Sequence, residues 1–177
     1  MELNVFENIA LPFVLAHEGG FVDNPHDSGG ATNKGVTQAT YDVWRLKNGE
    51  YKRPVQQIED NEVHDIYKAF YWGACKCDEI PYPLNFAIFD FNVNAGANAI
   101  KVLQKILHVT EDGILGSATL GVIQTNTRVY EDTAALTGKY LDARAEYYRA
   151  IGVGKNAEFL GGWIARVEDL KRKFLMA

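Results

Sequence analysis

Apolar side chains recur at Phe6, Ile9, Ala10, Phe13 and Val14, with His17 next in step, at the i, i+3, i+4, i+7, i+8 spacing of one helix face. Pro12 either opens that helix at its first turn or kinks it. Gly19 and Gly20 supply a left-handed C-cap, so the helix ends at or just past Glu18. The pattern then breaks down. Residues 21–37 read as short extended pieces joined by turns at Asn24-Pro25, Ser28-Gly29-Gly30 and Asn33-Lys34-Gly35, a small irregular β-ribbon.

Helical periodicity returns with Thr37 as a cap and runs to Lys47, closed by Asn48-Gly49. A further helix spans about Glu59 to Trp72. The stretch YPLNFAIFDFNVNAG, opened by Pro83 and closed by Gly96, is apolar almost all round and predicts a buried central helix. ANAIKVLQKILHV follows as a helix, then a turn at Asp112-Gly113 and an N-cap at Ser117. A long helix from about Arg128 to Ala150 and a last one from about Glu158 to Leu175 complete the chain, with GVGKN as the break between them. The expected class is α+β, predominantly α-helical, with one β-ribbon directly after the first helix.

The 177 residues suffice for one domain or two small lobes, and 47% hydrophobic with 23% charged residues is ordinary globular composition. A net charge of −5 argues against a nucleic-acid partner, since a phosphate-binding surface clusters Lys and Arg. The densest basic stretch, LKRKFL, reads as a solvated last helical turn. Cys75 and Cys77 stand too close for an unstrained disulfide and at no zinc spacing, so they are expected to be reduced structural thiols. The N-terminus begins with Glu2 and is interrupted by Asn8 and Pro12, unlike a signal peptide. No run reaches membrane-spanning length. Synthesis in the cytoplasm without an export address, no membrane insertion and no cofactor or metal are the expectations.

Chemistry gathers at the end of the first helix. Glu18 meets the negative end of the helix dipole, and Phe13, Val14 and Phe21 add desolvation; both disfavour its ionised form. A carboxyl group kept protonated near neutral pH is what a general acid requires. Gly19 and Gly20 leave the approach to it open. Asp27, in a turn rich in hydrogen-bond donors, should stay ionised, and Thr32 and Thr37 offer hydroxyls to orient water. One protonated acid, one carboxylate and a water-holding hydroxyl make a glycosidase constellation. Set against this, Glu18 is also read as a solvated helix end and Asp27 as a residue fixing its own turn.

The segment EGGFVDNPHDSGGATNKGVT resembles the signature of glycoside hydrolase family 108, which comprises N-acetylmuramidases, phage endolysins and proteins labelled secretion activators. Its Glu-Gly-Gly-aromatic, Asp, Gly-Gly, Thr and Lys-Gly-Val-Thr elements fall almost position by position. The spacing of Glu18 to Asp27 is similar to the Glu/Asp/Thr arrangement of phage lysozymes, except that Thr32 follows Asp27 by five residues rather than six, leaving Thr32 against Thr37 open. FDFNVNAGANAIKVLQKIL with DGILGSATL resembles the predicted peptidoglycan-binding region that accompanies this family, and FLGGWIARVEDL its closing helix.

The resemblance implies a lysozyme-like fold with a catalytic lobe over 1–92 and a helical wall-binding lobe over 93–177, packed as one unit. It implies peptidoglycan as partner and release to the bacterial wall through a holin or similar route. Glu18 would protonate the glycosidic oxygen between N-acetylmuramic acid and N-acetylglucosamine. Asp27 would activate water or stabilise the oxocarbenium-like transition state, with Thr32 or Thr37 holding the water. Carboxyl groups about 6.5–9.5 Å apart would mean inversion, and about 5 Å retention.

Tyr67, Tyr71 and Trp72 are candidates to line a saccharide groove or to pack in the core. Asn92 and Asn94 are polar where an apolar pattern is expected, and either bind N-acetyl groups or satisfy local backbone. His17, His64 and His108 read as structural and His26 as solvated; Tyr140, Tyr147 and Tyr148 read as packing. Two rival functions remain open at this point: a lytic transglycosylase, and a wall-binding or secretion-assisting protein that does not cut.

Overall fold

A computed structural model describes residues 4–23 and 30–175. By contact density it divides into two compact units, Met1–Trp72 and Gly73–Ala177. Among the described residues there are eight α-helices and one two-stranded antiparallel sheet.

In the first unit a π-helical turn, Phe6–Ala10, leads into α1, Leu11–His17. Pro12, with no N–H to give to a preceding carbonyl, stands where the wide turn gives way to α geometry. The helix does not end in a left-handed glycine. Glu18 itself turns extended (φ −83°, ψ 143°) while its N–H still reaches the Val14 carbonyl at 3.0 Å, and neither Gly19 nor Gly20 has a positive φ.

Strands β1 (Thr32–Asn33) and β2 (Val36–Thr37) form the ribbon, with Thr32 opposite Thr37 and Asn33 opposite Val36. Lys34 (φ 50°) and Gly35 (φ 75°) both sit in the left-handed region, the requirement of a two-residue hairpin loop that matches strand twist. Val22 bridges the outer side of Thr32, exchanging both backbone hydrogen bonds at 2.8 Å. The turns expected at Asn24-Pro25 and Ser28-Gly29 lie outside the described residues.

Helix α2 (Gln38–Lys47) starts on the Thr37 cap, whose hydroxyl accepts from the Thr40 N–H at 3.2 Å. Helix α3 (Asp60–Tyr67) starts on a capping box between Glu59 and Glu62 and continues as a π-helical segment, Lys68–Trp72. Between them a 3-10 turn, Val55–Gln57, is tied to the hairpin by Asn33, which donates to the Val55 and Gln56 carbonyls at 3.2 and 3.3 Å.

The second unit is built around α4, Leu84–Ala95, whose residues Leu84 to Phe91 are all buried. Burial of each large apolar side chain there contributes about 1.5–3 kcal/mol. Helices α5 (Ala97–Ile106), α6 (Ser117–Asn126), α7 (Tyr130–Ile151) and α8 (Leu160–Leu175) complete it. The N-cap of α6 is Gly116, with Ser117 already helical and making no cap bond. The division into compact units falls after Trp72, and α4 buries its faces among α5 and α7 of its own unit. Cys75 and Cys77 are both buried and are not joined in a disulfide.

Within this apolar bundle Asp90 of α4 is fully buried. It accepts from Arg166 Nε and Nη2 of α8 at 3.0 and 2.8 Å. Nη1 of the equally buried Arg144 of α7 lies 2.7 Å from its other oxygen, an ion pair without good hydrogen-bond alignment. The Arg144 guanidinium also lies over the Phe91 ring at 4.7 Å. Burial pushes the Asp90 carboxyl up, but the two guanidiniums outweigh it and hold it below the usual range.

Candidate active site

Glu18 leaves α1 half-buried and in extended conformation, which carries its side chain onto the hairpin. A Cβ built on Gly35 would lie 2.9 Å from Glu18 Cγ and 3.1 Å from Oε2, and 2.2 Å from the Tyr67 hydroxyl. Gly35 therefore serves twice: it takes the positive φ of the hairpin loop, and it lets the carboxylate and the phenol close over the backbone. The Tyr67 hydroxyl donates to the Lys34 carbonyl at 3.0 Å, clamping the loop to α3. One helical turn on, the Tyr71 ring lies 5.2 Å from that of Tyr67. Burial, then the neighbouring Glu18 charge, raises the Tyr71 hydroxyl above its ordinary value. Glu18, Gly35, Tyr67 and Tyr71 thus share one site.

The register of the hairpin separates the two threonines. Both Thr32 backbone groups go to Val22 and the Gln38 N–H goes to Ala31, so Thr32 and Thr37 face each other as a non-hydrogen-bonded pair, side chains on one face. The Thr37 hydroxyl is engaged by the Thr40 N–H and lies 3.0 Å from the Thr40 hydroxyl. That of Thr32 makes one long contact, 3.5 Å to the Gly30 carbonyl, which leaves it available to a water or a sugar. Asp27 lies outside the described residues.

Gly19 and Gly20 are exposed, and among the described residues nothing beyond their chain neighbours comes within 4 Å of the place a Cβ would take on either. Trp72, a candidate for the groove, is 2% exposed and packs on Phe6 at 5.3 Å; its indole belongs to the core. Asn92 and Asn94 lie in the second unit, where they donate to the Gly96 and Asp90 carbonyls at 3.1 and 3.2 Å. Of their two readings, the local backbone is the one the geometry displays. His17 faces the Phe13 carbonyl at 2.9 Å and stacks on that ring.

Two features were not legible as site elements from the chain alone. Gly35 was read only as a turn residue, although the Lys-Gly of the same motif was its signal. The second is a polar cluster that holds the hairpin from behind. Glu62, 6% exposed, accepts from the Tyr41 hydroxyl at 2.8 Å, Arg45 Nη1 at 2.7 Å, the Glu59 N–H at 2.9 Å, and Arg53. Burial raises the Glu62 carboxyl, but these donors and the two arginines prevail and hold it below its ordinary value. Gln38 joins in, donating to the Arg53 carbonyl at 2.9 Å and accepting from the Val55 N–H at 2.7 Å. Among the described residues no group of His, Cys, Asp or Glu is placed to hold a metal ion, and no helix is long and apolar enough to cross a membrane.

Residues 11–96 match the family described as Glycosyl hydrolase 108, and residues 98–168 match a Predicted Peptidoglycan domain. Among solved structures, the one titled "Structure of Brucella abortus SagA" superposes with a TM-score of 0.75 at 33% sequence identity, covering 94% of this chain and 92% of that one. No curated protein matches. The architecture is the mainly helical, lysozyme-like α+β fold expected, and peptidoglycan is the partner that the second domain supports. Two family segments in order, and a relative alike over almost its whole length, give the assignment: the chain belongs to glycosyl hydrolase family 108.

Proposed function

We propose that this protein hydrolyses peptidoglycan glycan strands between N-acetylmuramic acid and N-acetylglucosamine, with Glu18 as general acid. The observation that carries the reading is the seat of Glu18 on Gly35, between the hairpin loop and Tyr67 and beside the exposed Gly19 and Gly20. The Glu18 proton passes to the glycosidic oxygen as the bond to the muramic acid C1 breaks, and water adds its hydroxide equivalent to C1. Asp27 takes the proton from that water, or stabilises the positive charge at C1 while the Glu18 carboxylate takes the water's proton back, and the Thr32 hydroxyl orients the water. Thr37 is assigned to the helix cap. Tyr71 borders the acid and contributes an aromatic face to the sugar.

Turbidity clearing of purified peptidoglycan by wild type and Glu18→Gln, with mass spectrometry of the released fragments, tests this. Clearing lost in the variant, with reducing muramic acid ends, supports a muramidase using Glu18. Anhydro ends would move the chemistry to a transglycosylase. A folded wild type that binds sacculi of several wall types and clears none would make it a wall-binding protein.

A further inference from the structure

A concave surface lies far along the chain from Glu18, wholly within the peptidoglycan domain. It is a groove of about 920 Å³ between α5, the turn after it, and α7. Val102, Ile106 and Val109 form one side of its floor, Ala143, Tyr147 and Ala150 the other. The α7 contributors, Lys139, Ala143, Glu146, Tyr147 and Ala150, fall at i, i+4, i+7, i+8 and i+11, a single helix face turned to this groove. Each wall carries one cation and one anion: Lys105 and Glu111 on the α5 side, Lys139 and Glu146 on α7. All four are exposed, and none has an ion pair or side-chain hydrogen bond among the described residues.

That is unlike the neighbouring surface of the same unit, where Lys171 pairs with Asp142 and Glu168, and Arg172 with Asp169. The turn bearing His108 and Glu111 is also fixed from below. The buried Gln104 donates to Asp112 Oδ1 at 2.7 Å and the Ile114 carbonyl at 3.0 Å, and accepts from the Gly113 N–H at 2.8 Å. The walls are preorganised, which lowers the ordering entropy a ligand must overcome.

We propose that this groove binds the peptide stem of peptidoglycan, a short chain of small residues carrying carboxylates and one free ammonium. The aliphatic floor accepts alanine methyls. Lys105 and Lys139 meet the carboxylates, and Glu111 or Glu146 the diamino-acid ammonium. A glycan strand suits it poorly: Tyr147 is the sole aromatic side chain of the lining besides His108. Its ring is already packed on Phe91 and Tyr148 at 5.5 and 5.7 Å, and no Asn, Gln or Asp lines the walls. The proposal rests on the wall being the partner but not on the chemistry of Glu18.

The test is a methyl-NMR titration of the full chain with the free stem tetrapeptide, alanine–γ-glutamate–diaminopimelate–alanine, which holds no glycosidic bond. The expected result is shifts confined to the methyls of Val102, Ile106, Val109, Ala143 and Ala150, with affinity that falls as salt rises. Lys105→Glu with Lys139→Glu should weaken binding by about tenfold or more, since two exposed attractions become repulsions. Ala143→Leu, which narrows the floor, should weaken it without changing the circular dichroism. No shift at these methyls, an unchanged affinity in the double variant, or equal shifts with glycan chains stripped of their stems would overturn the assignment. So would shifts at these methyls that grow with protein concentration alone, since a second copy would then be the occupant. Stem binding by a chain that fails to clear peptidoglycan would leave this groove standing and remove the hydrolase reading; clearing without stem binding would do the reverse.

Discussion

Glu18 and Asp90 are both carboxylates set in apolar helical sequence, and their surroundings differ sharply. Asp90 lies wholly inside the second unit, its oxygens matched by Arg144 and Arg166 from two other helices. Glu18 stands half-exposed where a helix stops, against a glycine and two tyrosines. A buried acid whose lone pairs are filled by fixed cations is committed to its charge and to the fold. The contrast is between a carboxylate locked in the fold and one at an edge, where the proposed chemistry would need it.

The substitution with the largest expected effect tests the chemical side. Glu18→Gln keeps the shape and removes the proton donor, so clearing should fall by about 10²–10⁴-fold while the melting temperature stays near that of wild type. A variant that unfolds instead would place Glu18 with Asp90 as a structural residue. The converse change, Asp90→Ala, leaves two buried guanidiniums without their anion and should destabilise the protein by about 3–5 kcal/mol, read by chemical denaturation. The sign of its pH dependence follows from the depressed carboxyl. The stability Asp90 contributes is present above its ordinary value of 3.8 and is lost as pH falls through the lower folded one. Acid unfolding of wild type should therefore show a transition that Asp90→Ala lacks.

These two residues also mark what the chain discloses before it folds. The helix ending at Glu18, the Thr37 cap, the hairpin at Lys34-Gly35 and the buried Leu84–Ala95 helix all rest on local rules, and each is found in place, although the first helix stops in an extended Glu18 and not in the left-handed glycine that turn chemistry predicts. Asp90 was hidden for the opposite reason. Its partners lie on α7 and α8, far along the sequence, and no local pattern couples them. Trp72 and Tyr71 show the same limit from the other side: adjacent aromatics in a π-helical turn point apart, one into the core and one to Glu18. Tyr67 as a clamp on the hairpin is likewise a contact across the fold.

Gly35→Ala sharpens the comparison at the point where fold and chemistry meet. The added methyl would lie on the Tyr67 hydroxyl and the Glu18 side chain, at a φ of 75° that L residues resist. A loss of about 1–3 kcal/mol is expected, with clearing reduced beyond what the unfolded fraction explains. Unaltered activity per folded molecule would show that the seat of Glu18 is not set by this glycine. Below it in size come the threonines. Thr37→Ala should lower stability by about 1 kcal/mol through the lost cap with little change in kcat. Thr32→Ala should lower kcat at nearly constant melting temperature. Reversed effects would exchange the assignments.

The smallest effect concerns the segment that leads to Glu18. His64 of α3 holds Glu7 of the first turn at 2.8 and 3.0 Å, contacts Asp65 at 2.8 Å, and meets the edge of the Phe6 ring at 5.4 Å. Those carboxylates, Glu7 foremost, raise the imidazole above its ordinary 6.5. A raised base stabilises fully below the ordinary value, and the contribution disappears as pH climbs through the folded one. With the ring and Glu7 both partly solvated, the ion pair is worth less than about 1 kcal/mol. Melting curves of wild type and His64→Gln should differ in mildly acid buffer and converge in alkali. A constant gap would assign His64 to packing against Phe6 instead of to charge. The π-helical turn before α1 would then be held as Asp90 is not, by an aromatic edge rather than by a matched pair of ions.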